Sequence, residues 1–132
     1  MTRYLLDTNM VSYLVKAHPA VSARVVAVPM ASLCISSITE GGLLFGLAKR
    51  PEAAWLHRIV GEFLRRVDVL PWDMAAAMHY GIRHNELEAV DKPIGPLDLL
   101  IAAHALSANA VLVTNDNAFR FAPNLVLEDW TK

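Results

Sequence analysis

Apolar residues along the chain fall into two rhythms, short unbroken blocks and longer stretches in which they recur every three to four positions. Unbroken blocks suit strands buried on both faces, and the 3–4 spacing suits helices with one buried stripe. Arg3–Leu6 predicts a short strand closed by Asp7-Thr8-Asn9, and Met10, Val11, Leu14 and Val15 then predict a helix with Thr8 or Asn9 as its N-cap. Leu33-Cys34-Ile35 predicts a second strand ending on Ser36-Ser37. Ser37 followed by Glu40 has the form of a capping box, opening a helix through Leu43, Leu44 and Leu47.

From Ala53 to Arg66 the pattern is amphipathic, with Trp55, Ile59, Phe63 and Leu64 expected inward and Arg58, Glu62 and Arg65 outward. Val67–Leu70 predicts a third strand closed by Pro71, and Asp73 is placed to cap a long helix running to about Ala89. Pro93-Ile94-Gly95-Pro96 predicts a rigid turn before an apolar helix over Leu97–Ser107. Ala110–Val113 predicts a buried strand ending on Thr114-Asn115-Asp116, and Leu125–Leu127 a last strand before Glu128-Asp129-Trp130. Strands alternating with helices predict an α/β fold, a central parallel β-sheet flanked by helices on both faces. No linker, repeat or low-complexity stretch divides the chain, so residues 1–132 are expected to form a single domain.

Composition narrows the partners. Of 132 residues, 55% are hydrophobic and 19% charged, with a mean hydropathy of +0.34, which excludes a disordered tail and supplies one real core. Twelve Lys and Arg against thirteen Asp and Glu leave no basic excess for a general nucleic-acid coat, although a local site stays open. A lone cysteine, Cys34, permits no intrachain disulfide and is expected to be a small buried hydrophobe in a cytoplasmic protein. No secretory leader is recognised, and Asp98, His104, Ser107 and Asn109 interrupt the most apolar stretch, so no membrane association is expected.

In an open parallel sheet, ligands bind beyond the carboxyl ends of the strands. Asp7 follows the first strand and Asp116 the strand Ala110–Val113, while Asp98 sits in the first turn of an otherwise apolar helix. Complementing a helix dipole, worth about 0.3–1 kcal/mol, would explain Asp98 alone. Three acids at one end of the sheet ask for more. Clustered carboxylates raise one another's pKa unless a cation compensates, and all-oxygen ligation without His or Cys suits Mg2+ or Mn2+. With Thr8, Asn9, Ser37, Thr114 and Asn115 as neighbouring hydroxyls and amides, the set reads as metal-dependent phosphodiester hydrolysis.

These residues also carry a family resemblance. Leu-Leu-Asp-Thr-Asn at residues 5–9, Ser-Ser-Ile-Thr at 36–39 before a helix ending Phe-Gly-Leu-Ala-Lys, Gly-Pro-Leu-Asp-Leu-Leu-Ile-Ala-Ala-His at 95–104, Val-Thr-Asn-Asp at 113–116 and Glu-Asp-Trp at 128–130 resemble the PIN-domain VapC toxins. The likeness spans essentially the whole chain. It implies a PIN fold and a Mg2+- or Mn2+-dependent endoribonuclease toxin of a type II toxin–antitoxin pair. It further implies a homodimer, neutralised by a cognate VapB antitoxin and reaching operator DNA only through that antitoxin. Likeness to the enteric-type branch implies cleavage of the initiator tRNA in its anticodon stem-loop. The acids carried over as catalytic and metal-holding are Asp7, Asp98 and Asp116.

One position departs from the pattern. The family places a glutamate three residues beyond the Ser-x-x-Thr threonine, and here that position is Gly42. Glu40 is a poor substitute, since two helical residues rotate its side chain by about 200°. Gly41 and Gly42 in the first turns of a helix each cost roughly 0.5–1 kcal/mol relative to alanine. Gly42 therefore reads as a Glu-to-Gly exchange at a catalytic position, natural or introduced. It leaves two alternatives: an attenuated nuclease, or a catalytically silent PIN domain that acts as an antitoxin-binding module. A receiver-like signalling domain would instead need paired acids after the first strand and an aspartate after a middle one, where this chain has Asp7 alone and Ser36-Ser37.

The remaining candidates have simpler explanations. His18, His57, His79, His84 and His104 show no metal-ligand spacing, and His104 is expected to be packed or at the surface. Trp55, Trp72 and Trp130 are expected to be core or interface anchors. The basic run Lys49, Arg50, Arg58, Arg65 and Arg66 is either a solvated helix face or a phosphate-contacting rim.

Overall fold

A computed structural model describes residues 2–91 and 94–132. In chain order it contains β1 (Tyr4–Leu6), α1 (Thr8–Val15), α2 (Pro19–Ala27), β2 (Leu33–Ser36), α3 (Ser37–Ala48), α4 (Ala54–Arg66), β3 (Asp68–Leu70), α5 (Met74–Ala89), α6 (Pro96–Ser107), β4 (Val111–Val113) and β5 (Leu127–Glu128). Single 3-10 turns at Met30–Ser32 and Asn117–Phe121 lead into β2 and follow β4. Five strands form one sheet in the order β3-β2-β1-β4-β5, and every pairing is parallel. The expected α/β architecture is therefore present.

Strand alternation sorts the core into two layers. Leu6, Leu33, Ile35 and Val113 face α1, α2 and α4, meeting Met10, Val11, Val21 and Trp130 in one fully buried cluster. Leu5, Cys34 and Leu112 face the other way, against Ile101, Ala102 and Ala105 of α6 and against Phe119. The alanines of α6 let that helix lie close to the sheet, and α5 packs along its outer side. Both sheet faces are covered, as unbroken apolar strands require.

Several boundaries and orientations differ from the sequence expectations. Asp7, not Thr8 or Asn9, caps α1, its Oδ1 accepting from Met10 N at 2.8 Å. Ser36, not Ser37, caps α3, accepting from Ile38 N, so the Ser37–Glu40 capping box does not form. In both cases the chain turns from strand to helix one residue earlier than the apolar pattern suggests, because the last strand residue or its neighbour already carries a capping oxygen.

In α4 the buried residue is Val60, whereas Trp55 and Ile59 are 46% and 39% exposed. The last strand is Leu127–Glu128 rather than Leu125–Leu127, since only those two residues pair with Leu112 and Val113. Helix α2 was not anticipated; it carries β-branched valines and is capped by His18, whose Nδ1 accepts from Val21 N. The turn expected at Pro93–Pro96 lies partly outside the described residues, at Pro93; Pro96 opens α6.

Burial pushes the Cys34 thiol up to about 11, against the lowering influence of Arg3. Because thiolate is the reactive form, iodoacetamide should barely modify the native chain at neutral pH and should modify it rapidly in urea. Equal rates in the two conditions would contradict the burial of β2.

Candidate active site

The strand order reverses at β1 and β4: β2 and β3 lie on one side of β1, and the chain returns to place β4 on its other side. Such a switch point leaves a crevice at the carboxyl ends of the two strands. Asp7 stands directly after β1, and the segment Thr114-Asn115-Asp116 directly after β4. Asp7 N donates to Val113 O at 3.1 Å, which continues the β1–β4 ladder up to the acid itself. Asp98 enters from the first turn of α6.

Backbone capping and one hydroxyl orient these acids. Asp7 is 3% exposed, with one oxygen held by Met10 N. Asp116 Oδ1 accepts from Ala118 N at 2.9 Å and so caps the 3-10 turn after β4. Thr114 is buried between them: its Oγ1 accepts from Asp116 N at 3.0 Å, and its side chain hydrogen-bonds to Asp7. Thr114 thus ties the two acids together instead of offering a free hydroxyl.

Burial raises the Asp7 carboxyl above the ordinary range, against the Thr114 and Met10 hydrogen bonds, and the charges of Asp98 and Asp116 raise it further. Asp98 is raised by burial and then by Asp116. Among the described residues, no Lys, Arg or His forms an ion pair with any of the three. The three acids therefore share a repulsive field that no ion pair among the described residues offsets.

By donor type they fit a hard divalent cation, since every candidate ligand is an oxygen. They are not gathered into a ready-made cage: among the described residues, no three His, Cys, Asp or Glu side chains stand together closely enough to enclose an ion. Gly42 faces this region from α3, where an added Cβ would meet Thr8 Cγ2 at 3.8 Å, an ordinary van der Waals contact. A side chain at position 42 thus has room beside the residue that follows Asp7. Next to it, an apolar cleft of about 320 Å³ opens between α1, α3 and α4, lined in part by Thr8, Ser12, Gly42, Leu43 and Gly46.

The other candidates divide. Thr8 Oγ1 lies 3.4 Å from Thr39 Oγ1, bridging α1 to α3. Asn9 is exposed on α1. Asn115 Nδ2 donates to Tyr13 OH at 3.0 Å, which brings a tyrosine to the rim beside Asp116. Ser37 is turned toward the segment between β3 and α5, where its Oγ accepts from Trp72 N at 3.0 Å. Tyr13 has no signal in the sequence, because it reaches the region through a partner far away in the chain; Thr39 stands in the Ser-x-x-Thr motif and Trp72 among the expected anchors, but not with these partners. Of the basic run, Arg65 and Arg66 both pair with Glu62, and Arg50 lies 3.6 Å from Glu52. That pairing describes a solvated helix face.

Comparison with known proteins gives this geometry a family. Residues 4–124 match the PIN domain. The chain is 35% identical to the tRNA(fMet)-specific endonuclease VapC of Shigella flexneri, over 99% of this chain and 100% of that protein. It is 39% identical to ribonuclease VapC1 of Haemophilus influenzae strain R2866, over 98% of each. Among solved structures, VapBC2 from Rickettsia felis bound to a promoter DNA fragment superimposes with a TM-score of 0.89 at 34% identity, covering 98% of this chain and 99% of that one. The chain belongs to the PIN-domain family and, within it, to the VapC ribonucleases.

A raised folded-state carboxyl pKa means that the ionised form costs stability. The contribution of protonated Asp7 is fully present below the ordinary aspartate pKa and is lost as pH rises through the raised value. Asp7→Asn keeps a capping oxygen and removes the charge. In EDTA at neutral pH this variant should melt above the unsubstituted chain, with the advantage gone at about pH 3, below the ordinary carboxyl range. An Asp7→Asn melting temperature equal to or below that of the unsubstituted chain at neutral pH would contradict the uncompensated charge.

Proposed function

We propose that this chain is the toxin of a VapBC-type pair, an endoribonuclease in which Asp7, Asp98 and Asp116 hold Mg2+ or Mn2+. The observation that carries the reading is that Asp7 and Asp116 follow the two strands at the switch point and, with Asp98, raise one another's field while no described Lys, Arg or His pairs with them. When bound, the ion offsets the mutual repulsion of the acids and stabilises charge developing on a phosphodiester. Asp7 and Asp116, each held by a cap, present carboxylates of set direction. Thr114 keeps the pair in register, and Asn115 with Tyr13 offers polar groups to the RNA at the rim.

Relatives named as tRNA(fMet)-specific endonucleases support the initiator tRNA as substrate; the anticodon stem-loop is the cut site that the family resemblance implies. Solved relatives are VapBC complexes, some DNA-bound, which supports a VapB-type antitoxin as the partner and operator DNA reached through it. Met74, Met78 and Ile82 form an exposed apolar stripe at four-residue spacing along α5, which supports a homodimer. In this chain Gly42 withholds the fourth carboxylate, so metal binding and cleavage are attenuated.

The test is cleavage of a tRNA panel in Mg2+ or Mn2+ by this chain, by Gly42→Glu and by Asp98→Asn. Gly42→Glu should cleave initiator tRNA at least about tenfold faster, a gain of about 1.4 kcal/mol in transition-state stabilisation, and Asp98→Asn should not cleave. Equal rates for the unsubstituted chain and Gly42→Glu would remove position 42 from the account. No cleavage by either would favour the silent antitoxin-binding module, a reading that the open face at Gly42 also supports.

A further inference from the structure

Helices α3 and α6 are joined by a buried polar bond that the proposed chemistry does not use. His104 Nδ1 lies 2.7 Å from Ser36 Oγ; the two residues are 3% and 0% exposed. Ser36 is the N-cap of α3, its Oγ accepting from Ile38 N at 3.1 Å. Its hydroxyl proton is therefore free to point at Nδ1 of a neutral imidazole. Burial holds His104 below the ordinary histidine range, opposed by the charge of Asp73, which agrees with that assignment.

A second bond series runs beside the first. Trp72 N donates to Ser37 Oγ, and Trp72 Nε1 donates to Leu100 O at 2.9 Å, one turn before His104 on α6. Two successive residues at the start of α3 are thus tied, one directly and one through Trp72, to the helix that carries Asp98. On its other side the same first turn touches α1: Thr39 is fully buried, and its Oγ1 lies 3.4 Å from Thr8 Oγ1, next to Asp7. A continuous path therefore runs from α6 through His104, Ser36 and Thr39 to Thr8 and the Asp7 cap. Asp98 stands on the same helix, six residues or about 9 Å before His104, and the acids do not form a closed cage on their own.

We propose that His104 is a positioning residue, which with Ser36 clamps the start of α3 to α6 and so sets how far Asp98 stands from Asp7 and from position 42. The inference rests on the proposed reading of those acids as cation ligands. It assigns His104 no contact with substrate or ion. Leucine at 104 keeps apolar bulk and removes the acceptor, whereas asparagine places an amide near the position of Nδ1.

Mn2+ affinity, read by the loss of the free-ion EPR signal, tests the clamp without requiring turnover. His104→Leu should weaken Mn2+ binding by about tenfold or more, as loss of an outer partner of a metal site does, while keeping the far-UV circular dichroism of the unsubstituted chain. His104→Asn should recover most of that loss. Ser36→Ala combined with His104→Leu should cost less than the sum of the two single losses. If His104→Leu does not fold, Trp72→Phe, which removes the bond to Leu100 along with part of the ring beside Tyr80, should weaken Mn2+ binding in the same direction.

Asp98→Asn separates the two levels. Should Asp98→Asn bind Mn2+ as tightly as the unsubstituted chain, the reading of the acids fails, and the clamp's role with it. Should Asp98→Asn lose binding while folded His104→Leu keeps it, or while Trp72→Phe keeps it where His104→Leu is unfolded, the clamp alone is overturned.

Discussion

A carboxylate buried at the end of the central strand is the constraint from which the rest of the site follows. β1 has a neighbour on each side and helices on both faces, so Asp7 leaves the sheet where little water can reach it. Hydrogen bonds from Met10 N and Thr114 offset part of the desolvation, and the same bonds orient the group. Asp98 and Asp116 then work against it, since each adds negative charge to a region that already disfavours one. An arrangement that lowers its own stability in the absence of a counter-charge is the expected signature of a functional site rather than of packing.

The topology explains why the acids come to one end of the sheet. Residues 7, 98 and 116 are far apart in the chain, and the reversal of strand order at β1 and β4 brings two of them together at one crevice. The third arrives because α6, rich in small residues, lies close against the Leu5–Cys34–Leu112 face of the sheet and points its first turn at the same end. The proposed site and the core packing thus share one helix. Through Ser36 and Trp72, that helix also grips the helix on which Gly42 sits.

Much of this was legible along the chain. Unbroken apolar blocks identify β1, β2 and β4, and the acids that close two of them point to the crevice. Less visible was anything decided by partners distant in sequence. Thr8 or Asn9 reads as the cap of α1 until the Asp7 oxygen is seen in that place, and Ser37 reads as a cap until Trp72 claims its hydroxyl. Trp55 and Ile59 satisfy helical spacing, yet Val60 occupies the buried stripe, because the amphipathic pattern leaves the rotation of the helix loosely specified. Helix α2 escaped notice since valines there look the same in a strand as in a helix. His104 closes the motif at 95–104, yet nothing local points to its partner Ser36, 68 residues away.

Gly42 links the sequence departure to the physics. A Cβ added there would meet Thr8 Cγ2 at an ordinary van der Waals distance of 3.8 Å, so the backbone at position 42 does not itself exclude a side chain. On the proposed reading, three acids without the fourth attract a cation less strongly and with less definition of its place. Crystals soaked in Mn2+ and measured at the manganese edge address this most directly. The account predicts an anomalous peak among Asp7, Asp98 and Asp116, stronger in Gly42→Glu crystals than in the unsubstituted chain. A manganese peak elsewhere on the molecule, or no peak among these acids in either crystal, would contradict it.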